Sequence, residues 1–217
     1  MDGSILVKKY NNIEDNNFID DALGRHINLF NKMKKDKLLQ SQIMKVAEKL
    51  ICIYKNSGKL LLCGNGGSAA QAQHLATELV GRFNLDRKAL NAEALSVNTS
   101  SITSIANDYG FDQIFSRQIE AKGESGDMLI ALSTSGKSKN IIEAIKTSYS
   151  LKIYTVALVG QMDESALPKI TDLIISVPST ITPLIQETHL FIGHLICEYV
   201  ERQLFTRKKG VRIETGE

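Results

Sequence analysis

His74 and Glu78 stand four residues apart in the stretch Ala69–Phe83, which reads as a helix, so an imidazole and a carboxylate share one face one turn apart. Such a pair can bind a divalent metal or act as acid and base on one substrate, and it also occurs as a plain surface contact. Arg82 continues that face, suited to a phosphate or a carboxylate, and equally an ordinary cation at a helix end. Far downstream, Gln186, Glu187, His189 and His194 interrupt an otherwise apolar element, where polar groups need partners. Gln186 and His194 are eight residues apart, about 12 Å along a helix and near the limit for sharing one ion. Each histidine can also be a hydrogen-bonded core residue.

Two loops have the composition to hold an anion. Cys63-Gly64-Asn65-Gly66-Gly67-Ser68 joins an apolar run to a helix, offering free backbone N–H groups at a positive helix end, or no more than a tight turn. Ser133-Thr134-Ser135-Gly136-Lys137-Ser138 does the same with four hydroxyls, which suit the terminal oxygens of a phosphate. Capping and turn formation are the simpler use of such hydroxyls. Ala131 to Ser138 also fits a relaxed nucleotide P-loop, but alanine stands at the first glycine position and no later strand ends in an aspartate for magnesium. Asn107-Asp108-Tyr109-Gly110-Phe111 is turn chemistry, and Asp108 becomes a ligand only beside the other loops.

The elements that must position these groups are legible as patterns. Ile27, Phe30 and Met33, then Ile43, Val46, Ala47, Leu50 and Ile51, follow helical spacing and predict two helices between about Phe18 and Asn56. Five apolar runs follow: Leu60–Cys63, Ala92–Val97, Met128–Leu132, Ile153–Val159 and Leu173–Val177. Runs that do not alternate with polar residues suit strands covered on both faces, hence a parallel sheet between two helical layers. Thr182–Phe205 reads as one long helix, with Pro183 in its first turn and Gly193 inside it, and the charged tail from Arg207 as a solvated end.

With 217 residues, 43% hydrophobic and 23% charged, the chain has the size and composition of one globular domain. Its net charge of +2 gives no broad basic surface for nucleic acid. Cys52, Cys63 and Cys197 are widely spaced in apolar stretches, predicting free thiols in a reduced cytoplasm. No apolar run has a membrane-spanning length.

Taken in order, Gly64-Asn65-Gly66-Gly67-Ser68, His74 to Glu78 and Arg82, Asn107-Asp108, Ser133 to Ser138, and Gln186-Glu187-Thr188-His189 with His194 resemble the sedoheptulose 7-phosphate (phosphoheptose) isomerases of the SIS family. The match runs from about Leu38 to Phe205. It implies a single three-layer αβα SIS domain over residues 1–217, with N-terminal helices (1–57) that pack between subunits, a core (58–205) and a tail (206–217). It also implies a homotetramer whose active sites draw on more than one subunit. The implied reaction turns sedoheptulose 7-phosphate into D-glycero-D-manno-heptose 7-phosphate for lipopolysaccharide, capsule or related glycans. Ser133, Thr134, Ser135 and Ser138 would hold phosphate; Asn65, Gly66, Gly67, Ser68, Glu78, Arg82, Asn107, Asp108 and Gln186 would surround the substrate. Glu78 would be the base and His194 the acid, and His74, Glu78, Gln186 and His194 match the zinc ligands, one ion per subunit, of metal-bearing members.

Three positions depart from some relatives. Ala69 and Gln71 replace a histidine and an aspartate, and Pro183 replaces an aspartate; none removes a proposed acid, base or phosphate ligand. A non-catalytic SIS protein that binds a replication initiator is the alternative, as is a phosphosugar sensor. The initiator-binding relatives tend to lack the second histidine of the last helix, which this chain keeps as His194.

Overall fold

The computed structural model describes residues 17–162 and 167–206. The leading amphipathic run is two helices, α1 (Phe18–Lys35) and α2 (Lys37–Lys55). Asp36 divides them: its side chain accepts the Leu39 N–H at 2.9 Å and caps α2. α1 has Asp20 and Asp21 in its first turn and three lysines in its last, the order a helix dipole favours. Its buried residues are Leu29 and Met33. Ile27, expected on that face, is exposed instead, because two residues place it about 200° around the helix from Leu29. It joins Phe18, Ile19 and Leu23 in an apolar stripe turned away from the core.

The sheet is β1 (Leu60–Gly64), β2 (Ala92–Ala94), β3 (Met128–Ser133), β4 (Tyr154–Val159) and β5 (Leu173–Ser176), in the order β2-β1-β3-β4-β5 with every neighbour parallel. The remaining helices are α3 (Gly67–Val80), α4 (Thr99–Tyr109), α5 (Ser116–Lys122), α6 (Lys139–Ser150) and α7 (Thr182–Glu201), the last continued by a π turn to Thr206. Successive strand residues face opposite layers, as the period of two requires. Leu60, Leu62, Met128, Ile130 and Leu132 join the core shared with α1, α2, α3 and α7. Leu61, Cys63, Leu129 and Ala131 join the core under α5 and α6.

Some boundaries differ from expectation. β2 stops at Ala94; Leu95 still donates to the Leu62 carbonyl at 2.8 Å, but Val97 turns back to Ala94 and leads into α4. α3 ends at Val80 rather than Phe83, because Gly81 leaves the helix with φ −79° and ψ −116°. Cys52 is exposed on α2, whereas Cys63 and Cys197 are buried; all three are free thiols. The expected tail from residue 207 lies outside the described residues.

α3 and α7 lie side by side, and Gly193 is a point of close approach between them. A Cβ there would stand 2.5 Å from Leu75 Cδ1, and Leu75 is itself buried. Gly193→Ala is therefore expected to destabilise the protein by about 1–3 kcal/mol, as overpacking does. Gly24→Ala, on α1 with nothing within 4 Å of the added carbon, is expected to stabilise it by up to about 1 kcal/mol through helix propensity. Thermal melting of the two variants beside the wild type checks the opposite signs.

Candidate active site

The strand order reverses between β1 and β3, so the chain leaves those two strands in opposite directions and opens a crevice at their C-terminal ends. Both candidate anion loops are there. Asn65, after β1, exchanges two amide hydrogen bonds with Asn140 in the first turn of α6, at 2.9 and 2.8 Å. That pairing ties the glycine loop to the serine loop. Gly66, with φ +54°, is the N-cap of α3 and lies exposed with Gly67.

The serine loop is folded on itself. Ser133 Oγ is buried and accepts the Gly136 N–H at 3.1 Å; Ser135 Oγ accepts the Lys137 N–H at 3.3 Å. Gly136 has φ +64°, a conformation that costs an ordinary residue, and a Cβ there would run into Met162. Ser138 is the N-cap of α6 without a side-chain capping bond. The P-loop alternative gains nothing: β4 runs into Gly160 and β5 into Val177, with no aspartate at either end.

His74, Glu78 and His194 form a second group, on α3 and α7. His74 Nε2 is 2.9 Å from His194 Nε2 and 3.2 Å from Glu78 Oε1, and one ligand atom from each residue falls within 4.8 Å of the others. Two imidazole nitrogens and a carboxylate oxygen face one another, an arrangement stable only with a proton or a cation among them. Ligands of tetrahedral zinc, at 2.0–2.1 Å from the ion, stand roughly 3.3 Å apart, close to the separations of His74 from His194 and from Glu78, so the donor set suits such an ion. The pKa of His194 is lowered, first by burial and then by the charge of His74, with Glu78 acting against both.

Gln186 points elsewhere. Its side-chain Nε2 is 2.7 Å from where a Gly67 Cβ would be, at the N-terminal end of α3, and its carbonyl accepts from the Gln71 amide. Side chains on a helix lean toward its N-terminus, which directs Gln186 toward the glycine loop. Arg82 lies exposed just past the end of α3. Asn107 and Asp108 sit exposed near the end of α4, bonded to each other at 2.7 Å, on a helix with no buried residue.

Glu78 is eleven residues along α3 from Gly67, about 16 Å of helix rise. The acid–base group and the anion loops of one chain are therefore two places. A cleft of about 570 Å³ is lined by Lys49, Asp127, Tyr154 and Asp172 at the opposite edge of the sheet, where β3, β4 and β5 begin. The C-terminal edge carries more weight as a ligand site, since open parallel sheets bind ligands there. No helix among the described residues is long and apolar enough to cross a membrane.

Residues 27–160 match the SIS domain family. The phosphoheptose isomerase of Clostridium acetobutylicum is 47% identical over 192 residues, 88% of this chain and 97% of its own length. That of Sulfurimonas denitrificans is 43% identical, over 87% of this chain and 96% of its own. The chain belongs to the phosphoheptose isomerase family. Its fold matches the solved phosphoheptose isomerase of Francisella tularensis with a TM-score of 0.80 and 31% identity, over 88% of this chain and all of the other. The Neisseria gonorrhoeae enzyme gives 0.77 and 36%, over 86% and 98%.

Set on the SIS framework, several residues gain a place that sequence reading did not assign. Asn140 holds Asn65. Phe83 lies against His194, ring centroids 5.6 Å apart. Arg87 and Glu201 form a buried ion pair beside α3 and α7. Arg87 stands in Asp86-Arg87-Lys88, which reads as solvated charge, and Glu201 at the charged end of a helix, so neither carried a signal.

Proposed function

We propose that this chain isomerises sedoheptulose 7-phosphate to D-glycero-D-manno-heptose 7-phosphate, the entry to heptose for surface glycans such as lipopolysaccharide core or capsule. The observation that carries the reading is the convergence of His74, Glu78 and His194 on two packed helices in a member of this isomerase family. Moving a carbonyl from C2 to C1 takes one proton from carbon and returns one to the neighbouring carbon, through a cis-enediol. Glu78 takes the C1 proton as base, His194 protonates the C2 oxygen, the O1 proton is then withdrawn and C2 is protonated, so the proton count closes. The lowered pKa of His194 makes its protonated form a stronger donor.

Ser133, Thr134, Ser135 and Ser138 bind the phosphate in this reading, with Asn65, Gly66, Gly67, Ser68, Arg82, Asn107, Asp108 and Gln186 around the sugar. An extended seven-carbon phosphate spans roughly 10 Å at about 1.2 Å per bond, less than the helix rise from Gly67 to Glu78 in one chain. A phosphate loop and an acid–base group drawn from different copies would meet that length, and this favours a homotetramer with shared sites. The exposed stripe Phe18, Ile19, Leu23 and Ile27 and the apolar cleft lined by Ile43, Met44, Ala47 and Leu195 are faces such copies would cover. The enzyme works in the cytoplasm, where its phosphorylated substrate is retained.

His74, Glu78 and His194 would hold one zinc per subunit, which would supply Lewis-acid polarisation of the carbonyl when bound; Gln186, expected as the fourth ligand, is turned toward Gly67 and is not placed with them in this chain. A carboxylate and an imidazole given to a metal no longer carry protons freely. Conversion of sedoheptulose 7-phosphate by metal-stripped and zinc-restored protein tests the reading, alongside zinc uptake measured directly. Turnover in either state is expected; none in both, with the oligomer intact, would leave a phosphosugar-binding protein.

A further inference from the structure

Past the end of α3, residues 81–88 form a loop that closes on a buried ion pair. Arg87 Nε donates to Glu201 Oε1 at 3.0 Å, with 2% and 1% of the two side chains exposed. Such burial is unfavourable unless the remaining donors and acceptors are also satisfied. Here they are. Glu201 also accepts the main-chain N–H groups of Phe83, Asn84 and Leu85 at 3.2, 2.8 and 3.0 Å. Arg87 donates to the carbonyls of Glu78, Leu79 and Gly81 at 2.8, 2.6 and 3.1 Å, groups that the end of α3 leaves without helical partners.

Three links from this pair lead to the acid–base group. The guanidinium holds the main chain of Glu78 itself. The carboxylate belongs to α7, seven residues beyond His194, about two turns along one rigid helix. The loop that the carboxylate gathers places the Phe83 ring against the His194 imidazole, the planes inclined by 39°. Cys197, buried on α7 one turn beyond His194 and one turn before Glu201, has its thiol pKa raised first by burial and then by the charge of Glu78, with Arg87 acting against both.

We propose that Arg87 and Glu201 are positioning residues: they fix Glu78 against His194 without touching substrate, and proton transfer depends on that fixing. The kinetic consequence rests on the isomerase reading; the clamp itself rests only on geometry.

Glu201→Gln keeps the shape and removes the charge; Arg87→Lys keeps the charge and loses the fork that reaches several carbonyls. In both, kcat and KM for sedoheptulose 7-phosphate are measured well below the melting point, with circular dichroism to confirm folding. The expected result is kcat lowered about 10- to 100-fold with KM within about 3-fold, the pattern of a displaced reacting group. Unchanged kcat in the folded variants, or a change confined to KM, overturns the proposal even if melting falls. A second readout needs no substrate: ring ¹H–¹⁵N signals of His74 and His194 should move in Glu201→Gln while those of His26 on α1 stay. If the wild type does not convert this substrate, the isomerase reading fails and the spectra alone decide. Moved His194 signals then keep the clamp, and unmoved ones remove it. If Arg87→Lys does not fold, Glu201→Gln carries both measurements.

Discussion

Glu78→Gln is expected to lower kcat for sedoheptulose 7-phosphate by about 10²- to 10⁴-fold, the range that one positioned acid or base contributes. The amide matches the carboxylate in shape and keeps a hydrogen bond to His74, so packing around α3 is preserved while the base is lost. His194→Gln should fall in the same range, because the oxygen proton then has no carrier. The double variant should be little worse than either single one, since both act in one transfer. Steady-state rates on all three, with oligomer size and metal content measured on the same samples, separate loss of a proton carrier from loss of a bound ion. A Glu78→Gln enzyme retaining a tenth of wild-type kcat would take the base assignment away from Glu78.

Stability should fall steeply between pH 6.5 and pH 4, and His189 is the reason. It is fully buried on α7, and among the described residues neither ring nitrogen has a hydrogen-bond partner of good geometry. Burial lowers its pKa from 6.5 to about 4, with the nearby Val159 carbonyl pulling the other way. The folded pKa lies below the unfolded one, so the unfolded chain binds more protons throughout that window. The stabilisation from a neutral His189 is present above pH 6.5 and lost as pH falls toward 4, about 3 kcal/mol in all at 1.36 kcal/mol per unit. His194 is shifted in the same direction and adds to the slope. Urea unfolding of wild type and His189→Gln from pH 7 to 4.5 isolates the effect: the variant should start less stable and change less. Parallel curves would mean that the buried imidazole finds a partner when protonated.

The fold was largely legible because its signals are local. Five short, mostly apolar runs without regular polar alternation suit strands covered on both faces, and each became a strand of the parallel sheet. Ile27 was misplaced because a three-residue spacing through Phe30 to Met33 and a four-residue spacing through Leu29 to Met33 are both helical patterns. Which one faces the core depends on where α2 lies, and that is tertiary. The candidate site divides in the same way. His74 and Glu78 are neighbours on one helix and could be paired from spacing, whereas the 2.9 Å approach of His194 depends on how α7 is set against α3. That setting comes from Gly193 and Leu75, which have no chemical signature. Arg87 and Glu201 were illegible because a buried ion pair is written in the same letters as a solvated one.

The contacts of Gly67 with Gln186, Leu75 with Gly193 and His74 with His194 mean that α3 and α7 run in the same direction. Their dipoles add instead of cancelling, each equivalent to about half a charge at either end. Two positive ends open toward the crevice at the edge of the sheet, and two negative ends lie beyond the histidines. The molecule is thus electrically polarised along one axis, favouring an anion where the serines are and a cation where His74, Glu78 and His194 meet, before any side chain is counted.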